Sequence, residues 1–288
     1  MPQVSDAGGL VMAILSLQSS VVRGHVGNAA ALPILHRLGF EVWPIDTVMF
    51  SNHPAHGAFT GQAHDPEIIA ELVGGLAGDL DRCEAVLSGY LGRAGTGPVV
   101  LDAVAAVKRA NADALYCCDP VIGDNGATYV AEGVPGFFRD HAIPVADIVM
   151  PNAFEAAWLT GVGVDSLDRA RDAAQALRSR GPGLVVITGI RHRTELATLA
   201  VDGESAWAVS TPVLEMASHG AGDAFTALFL GYYLTNRDAA DALGRAASGL
   251  HAILCKTLEF GDGGDLRLIS ALDDMAAPME RFVARRLD

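Results

Sequence analysis

The chain has 288 residues, 50% of them hydrophobic, and a formal net charge of −14. That length and apolar content allow one large α/β domain or two small ones, with a core that needs no disulfide or metal staple, and they exclude long disordered tracts. The acidic balance disfavours nucleic acid and anionic membranes as partners, and Lys108 and Lys256 are the only lysines, so a bound polyphosphate rests on backbone amides, a metal ion and arginine.

Residues 1–9 read as a loose N-terminal tail, followed by one domain over 10–288. The apolar run Leu10–Leu17 is a strand covered on both faces and is too short to span a bilayer. Gly24–Asn28 is a turn, a helix follows to about Leu38, and Gly39 stops it. Phe40–Ile45 is a second strand. The stretch 46–64, rich in His, Gly, Pro, Asn and Ser, reads as a lid-like loop. Asp65-Pro66-Glu67 opens a helix with Asp65 at the cap. Strands are expected at Glu84–Ser88, Leu115–Cys118, Asp147–Met150 and Leu184–Thr188. Helices are expected at 97–112, Asn152–Thr160 and 165–180. A hairpin over Leu196–Val201 and Ala206–Ser210 precedes helices at 222–234 and 238–255.

Such alternation predicts an α/β fold with a mostly parallel central sheet and helices on both faces, a three-layer sandwich. Ligands sit at the carboxyl ends of the strands in such sheets, which selects Ser19, Thr47, Ser88–Tyr90, Asp119, Asn152 and Thr188–Gly189. Cys83, Cys117, Cys118 and Cys255 form no C-x-x-C pair, against a zinc or thioredoxin-like site. Free thiols without a secretory leader lead to an expected cytoplasmic location.

Four constellations can carry chemistry. In His219-Gly220-Ala221-Gly222-Asp223, small residues at a helix N-terminus present amides to an anion, and Asp223 in the first turn can take a proton from an attacking hydroxyl. The same pattern also describes a plain Gly-rich helix start. Asn152 and Glu155 read either as a capping box or as polar groups near Mg²⁺. Asp119 and Asp124, around Pro120 and Gly123, read either as a turn or as acids that hold a cation. The polar set Gln18, Ser19, His25, Gly27, Asn28, Thr47, Asn52 and His53 suits a small heterocycle. Walker, dinucleotide, nucleophile-elbow and zincin patterns are absent from the sequence.

Together these segments resemble the pyridoxal kinases of the ribokinase-like superfamily. The resemblance runs from about Leu15 to about Thr257. It rests on Leu17-Gln18-Ser19, Val21 through Asn28, Trp43-Pro44 through Thr47, Phe50-Ser51-Asn52-His53, Leu87 through Gly92, Cys118 through Val121, Pro151-Asn152 with Glu155, and Gly220 through Asp223. It implies ATP-dependent phosphorylation of the 5′-hydroxymethyl group of pyridoxal, pyridoxine or pyridoxamine in vitamin B6 salvage. Asp223 would act as base, and the amides of Gly220, Ala221 and Gly222 would stabilise developing charge. Ser19, Thr47, Tyr90 and His53 would surround the vitamin. Asp119, Asn152, Glu155, Thr188, Gly189 and Gly222 would contact the nucleotide, with Asp119, Asp124 and Glu155 about Mg²⁺. Tyr129 would cover the phosphates, K⁺ or Na⁺ would be a further ion, and a homodimer is expected. Ser20, Ala221, Met150 and His219 depart from common family residues. The alternatives are a hydroxymethylpyrimidine or sugar kinase of the same superfamily, and a catalytically weak pyridoxal-phosphate-binding protein.

Overall fold

The computed structural model describes residues 13–203, 205–216, 218–261 and 264–288. The expected tail at 1–9 and the first residues of the expected opening strand lie outside them. In chain order the elements are β1 (Ala13–Arg23), α1 (Asn28–Arg37), β2 (Glu41–Asn52), β3 (Gly61–Ala63), α2 (Pro66–Gly75), β4 (Cys83–Ser88), α3 (Thr96–Ala110), β5 (Leu115–Cys118), β6 (Gly123–Asp124) and β7 (Ala127–Thr128). There follow α4 (Val134–Phe137), β8 (Ile148–Val149), α5 (Ala153–Thr160), α6 (Leu167–Arg178), β9 (Leu184–His192), β10 (Glu195–Asp202) and β11 (Ser205–Pro212). The last elements are β12 (Ser218–His219), α7 (Ala221–Asn236), α8 (Ala239–Glu259), β13 (Gly264–Asp265), α9 (Leu268–Ala276) and β14 (Arg285–Leu287).

One ten-stranded sheet runs in the order β14-β11-β10-β9-β8-β5-β4-β1-β2-β3. From β2 to β9 the neighbours are parallel, while β3, β10, β11 and β14 join antiparallel at the two edges. Alternate residues of each central strand feed opposite cores, because successive side chains point to opposite faces. Leu15, Leu17, Val185 and Ile187 pack with α2, α3, α5 and α6. Ile14, Leu184 and Val186 pack with α1, α7, α8 and α9. Burial on both faces is why these strands read as unbroken apolar runs, and it makes the fold the three-layer sandwich expected from the alternation.

Three local expectations change. β2 does not stop at Ile45; it continues to Asn52 because β3 returns beside it, pairing Val48 with Ala63 and Phe50 with Gly61. The 46–64 stretch is therefore a β-hairpin flap rather than a loop, with a 3₁₀ turn over Pro54–His56 at its tip. Asp65 precedes α2 but its side chain makes no cap bond; its carboxylate instead meets Arg93 at 3.0 Å. The Gly-rich stretch after Asp119 contains the small β6–β7 hairpin.

Candidate active site

The candidate base lies where α7 begins. Gly220 adopts a left-handed φ of +86°, and a Cβ there would stand 1.9 Å from the His25 carbonyl oxygen. Only glycine fits such a turn. It lets α7 start at Ala221 and places Asp223 in the first helical turn. The Asp223 carboxyl is pushed above the usual carboxylate range by burial, opposed by the backbone amides of Gly27 and of Asp223 itself. Gly27 is equally crowded: a Cβ on it would meet the Ser19 carbonyl at 2.0 Å. The β1–α1 turn and the α7 turn are thus wedged together: Gly27 packs on the Ser19 carbonyl and its amide bonds Asp223.

Asp119 ends β5 and is 6% exposed. Its Oδ2 accepts a hydrogen bond from the Thr226 hydroxyl at 3.1 Å. Burial, then the charges of Glu155 and Asp223, drive its pKa far up. Glu155 is 3% exposed. Its Oε1 accepts from the amides of Ile122 (2.8 Å) and Gly123 (3.3 Å), and its Oε2 from that of Asn152 (2.9 Å). The Asn152 Oδ1 accepts from the Glu155 amide at 2.9 Å, completing the capping box. Burial raises the Glu155 pKa despite these amides. Asp124 sits exposed on the β6–β7 hairpin, with its carboxylate taken by the amide and side chain of Asn125.

Among the described residues no group of three or more His, Cys, Asp or Glu is placed to hold a metal ion, although Glu155 lies near enough to Asp119 and to Asp124 for their charges to interact. The reason is local: Glu155 is spent on backbone amides, and Asp124 on its own turn. Asp119 remains, buried against like charge, and no basic side chain contributes to the shift of its pKa. A buried carboxylate in that setting favours a cation from outside the chain. Magnesium suits it, since it needs one or two carboxylates and draws its remaining ligands from water and phosphate. Tyr129 has its hydroxyl pKa pushed up by partial desolvation and by the charges of Glu155, Asp119, Asp223 and Asp124. Thr188 and Gly189 lie in β9 beside Asn152, where Asn152 and Thr188 form a single parallel bridge.

The expected heterocycle set divides. Ser19 is half-buried within β1, at the irregularity between Gln18 and Ser20 in its pairing with β2, and Tyr90 is half-buried after β4. Thr47 is fully buried and donates its hydroxyl to the Tyr90 carbonyl at 2.6 Å, so it braces the Tyr90 segment. Gln18 and Asn28 are also fully enclosed: the Gln18 amide donates to Ser16 (3.0 Å), Ser16 to Asn28 (2.7 Å), and Asn28 to Asp46 (2.8 Å). This chain ties β1, α1 and β2 together, while the buried Gln18 side-chain oxygen has no partner and Asn28 and Asp46 line a cavity. His25 bonds the Leu266 carbonyl at 3.0 Å, and Asn52 braces the flap through the carbonyls of His53 and Ala58. His53 caps the 3₁₀ turn, with its Nδ1 accepting from the Ala55 amide at 3.3 Å. Burial and the nearby His219 and His56 lower its pKa to about 4, so it is neutral at physiological pH.

Sequence reasoning missed Thr226, and it placed Gly27 in the heterocycle set without its amide bond to Asp223. Thr226 was within reach: it lies three residues after Asp223 on one helix, hence on the same face. The Gly27 contact joins loops about 200 residues apart and leaves no local signal. The two glycines of the turn make a paired test. Gly222 has no atom within 4 Å of a built Cβ and lies in the first turn of α7. Gly222→Ala folds with an unchanged or slightly raised Tm, about 0.5–1 kcal/mol in its favour from helix propensity, yet loses ATP turnover because the methyl occupies the approach to the helix N-terminus. Gly220→Ala lowers Tm instead. Thermal melts beside a turnover assay separate the two; equal Tm losses would refute the distinction.

A family model described as phosphomethylpyrimidine kinase matches residues 44–266. The chain is 45% identical to "Pyridoxal kinase PdxY" of Rubrobacter xylanophilus over 99% of this chain and 100% of that one. It is 44% identical to the protein of the same name from Deinococcus radiodurans, over 96% of each. Among solved structures it resembles the pyridoxal kinase of Leishmania donovani in complex with ADP and pyridoxamine. That match has a TM-score of 0.91 at 30% identity and covers 96% of this chain and 99% of the other. With the ribokinase-like sheet and the Gly220–Asp223 turn in place, the chain belongs to the pyridoxal kinase family.

Proposed function

We propose that the chain transfers the γ-phosphoryl group of ATP to the 5′-hydroxymethyl oxygen of pyridoxal, and of pyridoxine and pyridoxamine. One observation carries the reading. Asp223 stands in the first turn of α7, beside Gly222, where a Cβ would meet no atom, and accepts from the amide of Gly27, which packs on the Ser19 carbonyl. A substrate hydroxyl placed between Ser19 and that turn would be within reach of both a base and an anion site. Asp223 accepts the hydroxyl proton as the new O–P bond forms and the bond between the γ-phosphorus and the bridging oxygen breaks, releasing ADP. Its raised pKa makes it a stronger base than an ordinary aspartate. The amides of Gly220, Ala221 and Gly222 supply donors for the charge that develops. Thr188, Gly189 and Asn152 lie on the nucleotide side. Mg²⁺ arriving with ATP would be held on Asp119 and water, and would neutralise phosphate charge.

The match to the phosphomethylpyrimidine kinase model favours a second reading, in which the acceptor is a hydroxymethylpyrimidine. The two share every residue of the α7 turn and differ in what lines the vitamin side. A substrate panel with ATP and Mg²⁺, ranked by kcat/KM over the three vitamers, hydroxymethylpyrimidine and a sugar, decides between them. The B6 vitamers come first in this proposal, and a pyrimidine or sugar in first place overturns it. A homodimer and a cytoplasmic location complete the reading; the latter is supported by free cysteines, of which Cys83, Cys117 and Cys118 are buried. Light scattering on the purified chain tests the dimer.

A further inference from the structure

The flap that carries His53 is fastened to the catalytic turn by residues outside the kinase machinery described above. His56, at the flap tip, meets Asp265 with its Nε2 2.8 Å from Oδ1. Asp265 lies in β13, which pairs in parallel with β12: Ser218 opposite Gly264, His219 opposite Asp265. β12 runs directly into Gly220. The His53 ring stacks on His219 at 4.3 Å between centroids and 20° between planes, and His56 stands edge-on to His219 at 5.3 Å. The contact is built for its occupants. A Cβ on Gly264 would come within 2.9 Å of the His56 ring, and a Cβ on Gly24 within 2.9 Å of the same Asp265 oxygen that His56 meets. Both glycines leave space that the pair fills. The side chains are 21% and 30% exposed, so the contact is better shielded than a surface ion pair. Three imidazoles and a carboxylate suggest a metal site, but stacked rings do not aim their nitrogens at one point, and no metal-holding group occurs among the described residues.

We infer that His56 and Asp265 are positioning residues: they clasp the flap to β13 and thereby hold His53 over the vitamin side of the site. The inference rests on the proposed pyridoxal kinase reading. The clasp acts on vitamin binding. Its two side chains bond each other, and β12 lies between Asp265 and Gly220, so breaking it raises the KM for pyridoxal by a larger factor than it changes kcat or the KM for ATP. His56→Ala and Asp265→Ala each raise the pyridoxal KM about tenfold, the loss expected for one charge-assisted hydrogen bond. The double variant is no worse than either single one, because both remove the same contact. His56→Gln, whose amide nitrogen can replace Nε2, recovers most of the wild-type KM.

The experiment is a steady-state cycle over wild type, the two alanine variants, the double variant and His56→Gln, with KM and kcat measured for pyridoxal and for ATP. Should Asp265→Ala fail to fold, Asp265→Asn enters the cycle in its place. A wild-type pyridoxal KM in His56→Ala, additive effects in the double variant, or an equal rise in the KM for ATP each overturn the clasp. Absence of pyridoxal phosphorylation in the wild-type chain sinks the kinase reading instead, so the two failures are told apart.

Discussion

Replacing Asp223 by alanine lowers kcat for pyridoxal phosphorylation about 10³-fold, in the middle of the range for loss of a positioned general base, while nucleotide and vitamin still bind. The turn that presents the amides depends on Gly220 and its contact with His25, not on the Asp223 side chain, so the anion site survives the substitution. Residual turnover comes from positioning and from those amides, as when a base is lost from an intact oxyanion-type site. The pH profile gives a second reading of the same residue. A base must be deprotonated to act, so kcat falls as the pH drops through its pKa. Burial raises the Asp223 pKa above the ordinary value of 3.8, which places the acid limb at a higher pH than a solvated aspartate would. In Asp223→Asn that limb disappears along with most of the rate. Calorimetry for binding and a coupled assay for turnover check both parts; a variant that keeps wild-type kcat removes Asp223 from the mechanism.

The residues that sequence alone made legible share one property: each announces itself within a few positions. Asp119 follows a four-residue strand and precedes proline, Asn152 and Glu155 have capping-box spacing, and Asp223 follows two glycines at a helix start. The fold was legible for a similar reason, since central strands buried on both faces show as apolar runs. What escaped depends on distant pairing. The flap reads as a loop because its sequence is polar and Gly-rich, and only its return beside Val48–Phe50 makes it a hairpin. Gln18 and Asn28 are polar residues that suit ligand contact on type alone. Their burial follows from α1 packing over β1 and β2, which no local pattern encodes. Asp265 sits past the last segment with a recognisable motif, and its partners His56 and Gly24 lie more than 200 residues earlier.

The acid cluster predicts the second large effect, on stability rather than on rate. Asp119 has a folded-state pKa raised well above 3.8 by burial and by the charges of Glu155 and Asp223. A carboxyl raised in this way favours the folded state fully below its unfolded pKa, and that advantage is lost as the pH rises through the folded value. Free of metal and nucleotide, the chain at about pH 8 therefore bears the cost of burying Asp119 beside two other acids more fully than it does at low pH. Asp119→Asn removes one charge and keeps an acceptor for the Thr226 hydroxyl, so that donor is not orphaned. In EDTA at about pH 8 its Tm exceeds that of the wild type by about 2–6 °C, and the gap narrows as the pH is lowered toward about 5. Adding Mg²⁺ with a non-hydrolysable ATP analogue closes the gap from the other side, raising the wild-type Tm and leaving the variant nearly unmoved. The same variant loses turnover at least about 10²-fold, because the like charges that strain the empty site are those a cation and a phosphate chain require. A Tm gain of equal size at both pH values would assign the effect to packing, and no gain at all would mean the three carboxylates do not repel one another in the folded chain.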